Sequence, residues 1–152
     1  MSDRFSFMSK YPHVLDDKGR LALPGKLRDE LAKSARPEEL VALPNAEKGM
    51  VALYPYERWQ KVEASFHRIE DSDQREITIR HFQGNSERIT LDKAGRLLLP
   101  QRVREMAGLE REVAVIGALY KIEIWPRQVG DEFAARQEFT KPDPSTIRGL
   151  DL

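Results

Sequence analysis

Residues 15–24 read LDDKGRLALP and residues 91–100 read LDKAGRLLLP, so the pattern L-D-x-x-G-R-L-x-L-P occurs twice in a chain of 152 residues. The similarity extends outward, because HVLDDKGRLALPGKLRDEL (13–31) aligns without gaps on ITLDKAGRLLLPQRVREMA (89–107). Such self-similarity predicts two copies of a unit of roughly 45 residues, joined by a spacer and followed by a tail. A unit of this size is close to the lower limit for burying a core alone. We therefore expect the copies to share one core by interleaving their strands.

Each copy predicts the order strand, turn, strand, helix, strand, strand. Gly19 and Gly95 fit the turn between the first two strands, because glycine adopts positive φ angles without steric cost. Pro24 and Pro100 stand where a helix begins, a position that favours proline. Apolar residues then recur at helical spacing, namely Leu27 with Leu31 and Val103 with Met106, and Gly108 is expected to end the second helix. Two more apolar runs in each copy predict paired strands, at 40–43 with 51–54 and at 113–116 with 121–125.

The spacer between the copies is predicted to be helical. Its first helix carries one apolar stripe, formed by Trp59, Val62, Phe66 and Ile69. The acidic run 70–73 ends that helix, and Ser72 or Asp73 is expected to cap a second one that runs through Phe82. The tail is predicted to hold a short helix at 131–139 and then a frayed end. The predicted units are a first repeat at 10–57, a helical spacer at 58–85, a second repeat at 86–129 and a tail at 130–152.

Composition excludes several classes of protein. Cysteine is absent, which excludes disulfides, thiolate metal sites and cysteine nucleophiles. No apolar run approaches the roughly 18–20 residues that a membrane-spanning helix needs, and the N-terminus shows no signal peptide. These features favour a cytoplasmic protein with no membrane partner. Lys plus Arg and Asp plus Glu are 25 each, so binding to nucleic acid would require a local basic patch.

The repeated turn carries the most distinctive spacing of charged residues. Asp16 and Arg20 lie four residues apart, and Asp92 and Arg96 keep this spacing although their neighbours differ. One interpretation is a surface ion pair that pins the turn and contributes about 0–1 kcal/mol. The other is an arginine held by its aspartate, ready to contact a phosphate or a guanine. Additional positive charge on the same turns comes from Lys18 and Lys93.

Patterns typical of catalysis or metal binding are not found in the sequence. The three histidines, at 13, 67 and 81, have neither metal-ligand spacing nor an associated carboxylate cluster. No G-x-S-x-G, H-E-x-x-H or glycine-rich phosphate loop occurs. We predict that the chain is not an enzyme and uses no cofactor, metal or small-molecule substrate. The basic residues of the repeat helices are interpreted as a solvated surface rather than as DNA contacts (Lys26, Arg28, Arg102 and Arg104).

The doubled D-x-x-G-R-L-x-L-P motif and the central spacer resemble the MraZ family of bacterial transcriptional regulators, over about residues 7–125. A single copy would resemble only the wider AbrB/SpoVT group, whose members dimerise to complete one swapped-hairpin barrel. The resemblance implies a mainly β fold with α-helices: a double-split β-barrel built from two internal repeats, plus central and C-terminal helices. One departure is Phe7-Met8-Ser9, where many members have Phe-x-Gly, so that Ser9 occupies the glycine position.

The resemblance also implies a function. Family members assemble into rings and bind short G-rich direct repeats upstream of their own gene, at the head of the division and cell-wall cluster. For this chain it implies a homo-oligomeric ring of eight or more subunits on double-stranded promoter DNA, in the cytoplasm at the nucleoid. The implied DNA-binding residues are Arg20, Arg96, Lys18 and Lys93, oriented by Asp16, Asp92, Gly19 and Gly95. The alternative is a protein-interaction module of the same fold, acting through the central helices or the tail.

Overall fold

A computed structural model of the chain describes residues 5–127 and 141–152. The first copy forms β1 (Lys10–Val14), β2 (Arg20–Ala22), α1 (Gly25–Leu31), β3 (Glu39–Asn45) and β4 (Met50–Pro55). The spacer forms α2 (Tyr56–Phe66) and α3 (Ser72–Asn85). The second copy forms β5 (Glu87–Thr90), β6 (Arg96–Leu98), α4 (Gln101–Ala107), β7 (Glu112–Ala118) and β8 (Lys121–Pro126), and α5 (Pro144–Arg148) follows in the tail. The predicted order of elements is confirmed in both copies.

The two copies interleave their strands, as the sequence predicted. A six-stranded sheet has the order β1-β7-β8-β4-β3-β5, and β2 pairs with β6 in a separate two-stranded ribbon. All of these pairings are antiparallel, and the pairs β1–β7, β2–β6, β3–β5 and β4–β8 join one copy to the other. The six-stranded sheet is open, with β1 and β5 at its edges. The described architecture is therefore a mixed α/β fold around an open antiparallel sheet, and this sheet alone does not confirm the double-split β-barrel that the resemblance implied.

One shared core lies between the sheet, the ribbon and the two repeat helices. Leu27 and Leu31 of α1 are buried in it, as predicted. In α4 the buried pair is Val103 with Ala107, whereas Met106, which the sequence paired with Val103 at helical spacing, is only half-buried. Positions four apart lie on one side of a helix, so α4 turns the same side to the core as α1 does. Each repeat helix is thus packed on the core through its buried pair, and each follows one of the repeated turns in the chain.

The spacer helices differ from the prediction in their bounds. The cap of α3 is Asp71, whose side chain accepts a hydrogen bond of 2.9 Å from the backbone N–H of Gln74. Ser72 and Asp73, the predicted caps, already belong to the first helical turn, and α3 continues to Asn85. Asp71 takes the cap position because its backbone is still extended there. The apolar stripe of α2 is buried at two positions, Trp59 and Phe66, and half-buried at Val62 and at Ile69, which lies beyond the end of the helix.

The segment 7–9 is bonded to the turn between β7 and β8. Phe7 and Leu119 exchange two backbone hydrogen bonds, of 2.9 and 3.1 Å, and the N–H of Gly117 donates to the carbonyl of Ser9. A side chain on Gly117 would collide with the backbone of Met8. Ser9 has a φ angle of +79°, in the left-handed region that favours glycine. The backbone therefore keeps the conformation expected of the family's glycine, and the serine holds it under strain.

The variant Ser9→Gly is expected to raise the free energy of unfolding by about 0.5–1 kcal/mol, because relief of the left-handed strain exceeds the added entropy of the unfolded chain. Chemical denaturation measures the change. Ser6→Gly is the matched control, since Ser6 has no positive φ angle and should gain nothing. Equal effects of the two substitutions would show that Ser9 is not strained.

The described part of the tail is helical over five residues. Helix α5 lies where the sequence predicted a frayed end, and the side chain of Asp143 caps it by accepting from the N–H of Ser145 at 2.8 Å. Every residue from 141 to 152 is exposed. The helix predicted at 131–139 lies outside the described residues. Among the helices of the described ranges, none has the length and apolar character needed to cross a membrane.

Candidate nucleic-acid interface

The first repeated motif folds as a turn organised by its aspartate. Oδ1 of Asp16 accepts hydrogen bonds from the backbone N–H groups of Lys18 and Arg20, both at 2.9 Å. Oδ2 accepts from Nε of Arg20 at 2.6 Å. Gly19, with a φ angle of +87°, donates its N–H to the carbonyl of Asp16 at 2.9 Å and closes the turn. One carboxylate therefore fixes both the backbone of the turn and the direction of the arginine.

The second motif repeats this arrangement. Oδ1 of Asp92 accepts from the backbone N–H groups of Ala94 and Arg96, both at 2.9 Å, and Gly95 has a φ angle of +78°. Oδ2 lies 3.2 Å from Nε of Arg96. The clamp is thus looser than the corresponding distance of 2.6 Å in the first copy. In both copies the aspartate bonds to its arginine and the turn glycine has a positive φ angle, and their role in orienting a DNA contact stays a prediction.

Hydrogen bonds hold both aspartates in the ionised form. The backbone N–H of Arg20, followed by its side chain, lowers the pKa of Asp16 from the ordinary 3.8 to about 2. The pKa of Asp92 is also lowered, chiefly by the backbone N–H of Arg96. An ordinary aspartate is already charged at neutral pH, and the lowered pKa values extend that charge, and with it the bond to each arginine, to lower pH.

We expect Asp16 to titrate in the folded protein at a pH of about 2, below the value of an unperturbed aspartate. Because the folded pKa is depressed, the contribution of this carboxylate to stability is present above pH 3.8 and is lost as the pH falls towards about 2. Carboxyl NMR of the folded protein measures the midpoint. In Asp16→Asn, the loss of stability relative to wild type should shrink over the same pH range. A midpoint near 3.8 for Asp16 would mean that the clamp does not persist in solution.

The ribbon brings the two clamped arginines onto one surface. In its register Arg20 lies opposite Leu98, and Ala22 lies opposite Arg96. Side chains alternate along a strand, so these four share the outer face while the intervening leucines point into the core. Arg20 and Arg96 are diagonal neighbours on this face, and the backbone positions of such neighbours in antiparallel strands are about 7–8 Å apart. The sequence predicted both arginines as DNA contacts, but it did not predict that they share a face.

Further basic groups surround the paired arginines. Within the described residues, both guanidinium groups are bonded to protein through Nε, which leaves their terminal nitrogens for a ligand. Lys18 and Lys93 are exposed, and neither forms an ion pair with any residue that the structure describes. Arg111, just before β7, lines the same depression as Arg20 and Arg96. Sequence reasoning missed Arg111 because it stands outside the repeated motif.

Two basic residues of the repeat helices have a role that the sequence did not predict. Arg28 of α1 packs against Gly95 in the turn of the second copy, and Arg104 of α4 packs against Gly19 in the turn of the first. Arg28 is exposed and Arg104 is half-buried, but each also contacts the turn of the opposite copy, which their interpretation as a solvated surface did not include. The available signal was their position, the fourth residue after the proline in both copies. Arg102 forms an ion pair of 3.1 Å with Glu87 instead.

The fold and the site together define a class of protein: a duplicated β-unit that presents one clamped arginine from each copy on a shared ribbon. In the described ranges, no three His, Asp or Glu residues are grouped so that they could hold a metal ion. The family described as "MraZ protein, putative antitoxin-like" matches residues 6–81 and 82–148. The chain belongs to the MraZ family.

Relatives named "Transcriptional regulator MraZ" cover most of the chain. The protein from Heliobacterium modesticaldum is 37% identical over 80% of this chain and 82% of its own length. The one from Lachnoclostridium phytofermentans is 33% identical over 80% and 82%. The one from Yersinia pestis is 31% identical over 91% and 94%. These relatives are named as regulators and not as enzymes, which agrees with the prediction that the chain is not an enzyme.

Proposed function

We propose that this chain is a sequence-specific DNA-binding transcriptional regulator. The names of its relatives support regulation of transcription. The observation that carries DNA binding is the pair of clamped arginines, Arg20 and Arg96, on the outer face of the β2–β6 ribbon. A two-stranded ribbon fits the major groove of B-DNA, where base edges are distinguishable.

The proposed contacts divide between bases and phosphates. Each aspartate engages only Nε of its arginine, so the two terminal nitrogens can pair with O6 and N7 of a guanine. Such bidentate pairing discriminates against the wrong base by about 1–3 kcal/mol. Lys18 and Lys93 extend from the same turns and would neutralise phosphates, which position the protein without reading sequence.

We further propose that the fold is a double-split β-barrel in which the ribbon spans the gap between the edge strands β1 and β5. An isolated bridge between Leu91 and Leu97, where the chain leaves β5, supports this arrangement. Because the chain has no net charge, one subunit offers only a small basic surface. A homo-oligomeric ring of eight or more subunits would present many such surfaces to tandem repeats and raise their effective concentration.

The proposed target is the promoter upstream of the protein's own gene, at the head of a division and cell-wall gene cluster. The protein would act there in the cytoplasm, on nucleoid DNA. Family membership supports this assignment. Lys18, Lys93 and the two arginines are the residues that we assign to the DNA, and Asp16, Asp92, Gly19 and Gly95 orient them.

Fluorescence anisotropy of a labelled upstream fragment tests the proposal, with a scrambled fragment of equal length and composition as control. We expect a clear preference for the genuine fragment and a steep fall of affinity with salt, because each neutralised phosphate releases counterions. Equal binding of both fragments, or no binding, would refute sequence-specific recognition. The alternative function, a protein-interaction module of the same fold, would then be favoured.

A further inference from the structure

The turns that carry Arg20 and Arg96 are each held by the opposite copy. The backbone N–H of Leu23, which follows β2, donates to the carbonyl of Gly95 at 2.9 Å. The N–H of Leu99, which follows β6, donates to the carbonyl of Gly19 at the same distance. Each turn thus rests on the junction between strand and helix of the other copy. The two bonds extend the β2–β6 pairing beyond its last residue pair.

Arg28 reinforces the first of these contacts. Its Nε donates to the carbonyl of Leu23 at 3.1 Å. Leu23 is therefore bonded to Arg28 through its carbonyl and to Gly95 through its N–H. The guanidinium then lies against Gly95, where a Cβ atom would come within 2.5 Å of Nη1. Gly95 therefore serves two purposes: it adopts a positive φ angle, and it leaves room for the arginine.

Arg104 makes the reciprocal arrangement. Its Nε donates to the carbonyl of Leu99 at 3.0 Å, and a Cβ atom on Gly19 would lie 2.5 Å from that nitrogen. The two arginines thus occupy equivalent positions in both copies and use the same nitrogen for the same kind of carbonyl. The occurrence of the same contact in both copies indicates that it has a structural role.

We propose that Arg28 and Arg104 are crossed positioning residues: Arg28 fixes the turn that presents Arg96, and Arg104 fixes the turn that presents Arg20. The DNA-binding consequence rests on the proposed function. Each base-reading arginine would then depend on both copies, its aspartate coming from its own copy and its supporting arginine from the other. The interleaving of strands would thereby make the two turns a single recognition unit.

Crossed double-mutant cycles on the full chain test the pairing, with the upstream fragment and low salt so that weak binders remain measurable. We expect Arg28→Ala alone to weaken binding about tenfold. In the Arg96→Ala background its further effect should fall below about twofold, because that turn has already lost its reader. In the Arg20→Ala background the tenfold effect should persist. Arg104→Ala is the matched control and should show the opposite pattern. Equal coupling of Arg28 to both readers would overturn the crossed assignment.

Salt dependence and a conservative variant separate positioning from direct contact. A residue that binds phosphate reduces the slope of log affinity against log salt by about 1 when removed. Arg28→Ala should leave the slope unchanged. Arg28→Lys keeps the charge but lacks the planar fork, so it should bind as weakly as Arg28→Ala. A reduced slope in Arg28→Ala, with rescue by lysine, would assign Arg28 to the DNA and refute the proposal.

Amide hydrogen exchange tests the geometry without any DNA. In Arg28→Ala the amides of Ala94 and Arg96 should exchange faster, while those of Lys18 and Arg20 stay protected. Arg104→Ala should reverse this. If wild type fails to bind DNA but the exchange pattern is crossed, the proposed function fails and the positioning survives. If exchange changes equally in both turns, or in neither, the positioning role fails whatever the DNA result.

Discussion

The variant Arg20→Ala plus Arg96→Ala is expected to bind the upstream fragment at least about 100-fold more weakly than wild type. Each bidentate arginine–guanine contact is worth about 1–3 kcal/mol, so the loss of two corresponds to roughly 30-fold to 10⁴-fold in affinity for one subunit. A ring would amplify the loss, because every subunit carries both substitutions. Stability should change little, since the side chains of the two removed ion pairs are 39–46% exposed and surface pairs contribute about 0–1 kcal/mol.

The matched control removes two arginines of the same kind elsewhere. Arg80 pairs with Glu76 at helical spacing on α3, and Arg36 pairs with Glu39, the first residue of β3. Arg36→Ala plus Arg80→Ala removes the same charge but leaves the ribbon intact. Anisotropy and chemical denaturation compare the two double variants. Equal losses of affinity in the two double variants would mean that net charge drives binding. Unchanged affinity in Arg20→Ala plus Arg96→Ala would mean that the two Asp–Arg pairs are structural ion pairs only.

The sequence was sufficient for the elements because their signals are local. The turn glycine, the proline before each helix and the apolar spacing behind it all act within a few residues. Duplication also suggested strand interleaving, since a unit of roughly 45 residues is close to the lower limit for burying a core alone. The capping of α3 was misassigned by one or two residues because the run 70–73 offers several acceptable caps, and only backbone geometry selects Asp71.

The candidate site was predictable only in part. The spacing of Asp16 and Arg20 indicates a clamp because both partners lie in one turn. The convergence of Arg20 with Arg96 depends on the pairing of β2 with β6, which no local pattern encodes. The contact of Arg28 with Gly95 joins residues far apart in the chain, so each residue alone resembles an ordinary surface arginine or turn glycine. Long-range pairing therefore creates the shared face from motifs that were individually visible.

Leu97→Ala is expected to lower the free energy of unfolding by about 3 kcal/mol, within the range of 2–5 found for buried leucines. Leu97 is 1% exposed and faces Leu21, which is 0% exposed, across the ribbon. The ribbon contains only three residue pairs, and the middle pair supplies its inward side chains. Loss of one of them leaves a cavity beneath the ribbon, between the buried leucines that follow each strand, Leu23 and Leu99.

Leu98→Ala is the matched control, since it deletes the same atoms from the neighbouring residue. Leu98 is 51% exposed on the outer face, and we expect its removal to change stability by less than about 0.5 kcal/mol. Chemical denaturation of both variants measures the contrast. Because Arg96 is the neighbour of Leu97 on β6, Leu97→Ala should also weaken DNA binding. Unchanged affinity in Leu97→Ala would mean that other contacts hold Arg96 in place. Similar stabilities for the two variants would show that the alternation of the ribbon, and with it the shared face of Arg20 and Arg96, is wrong.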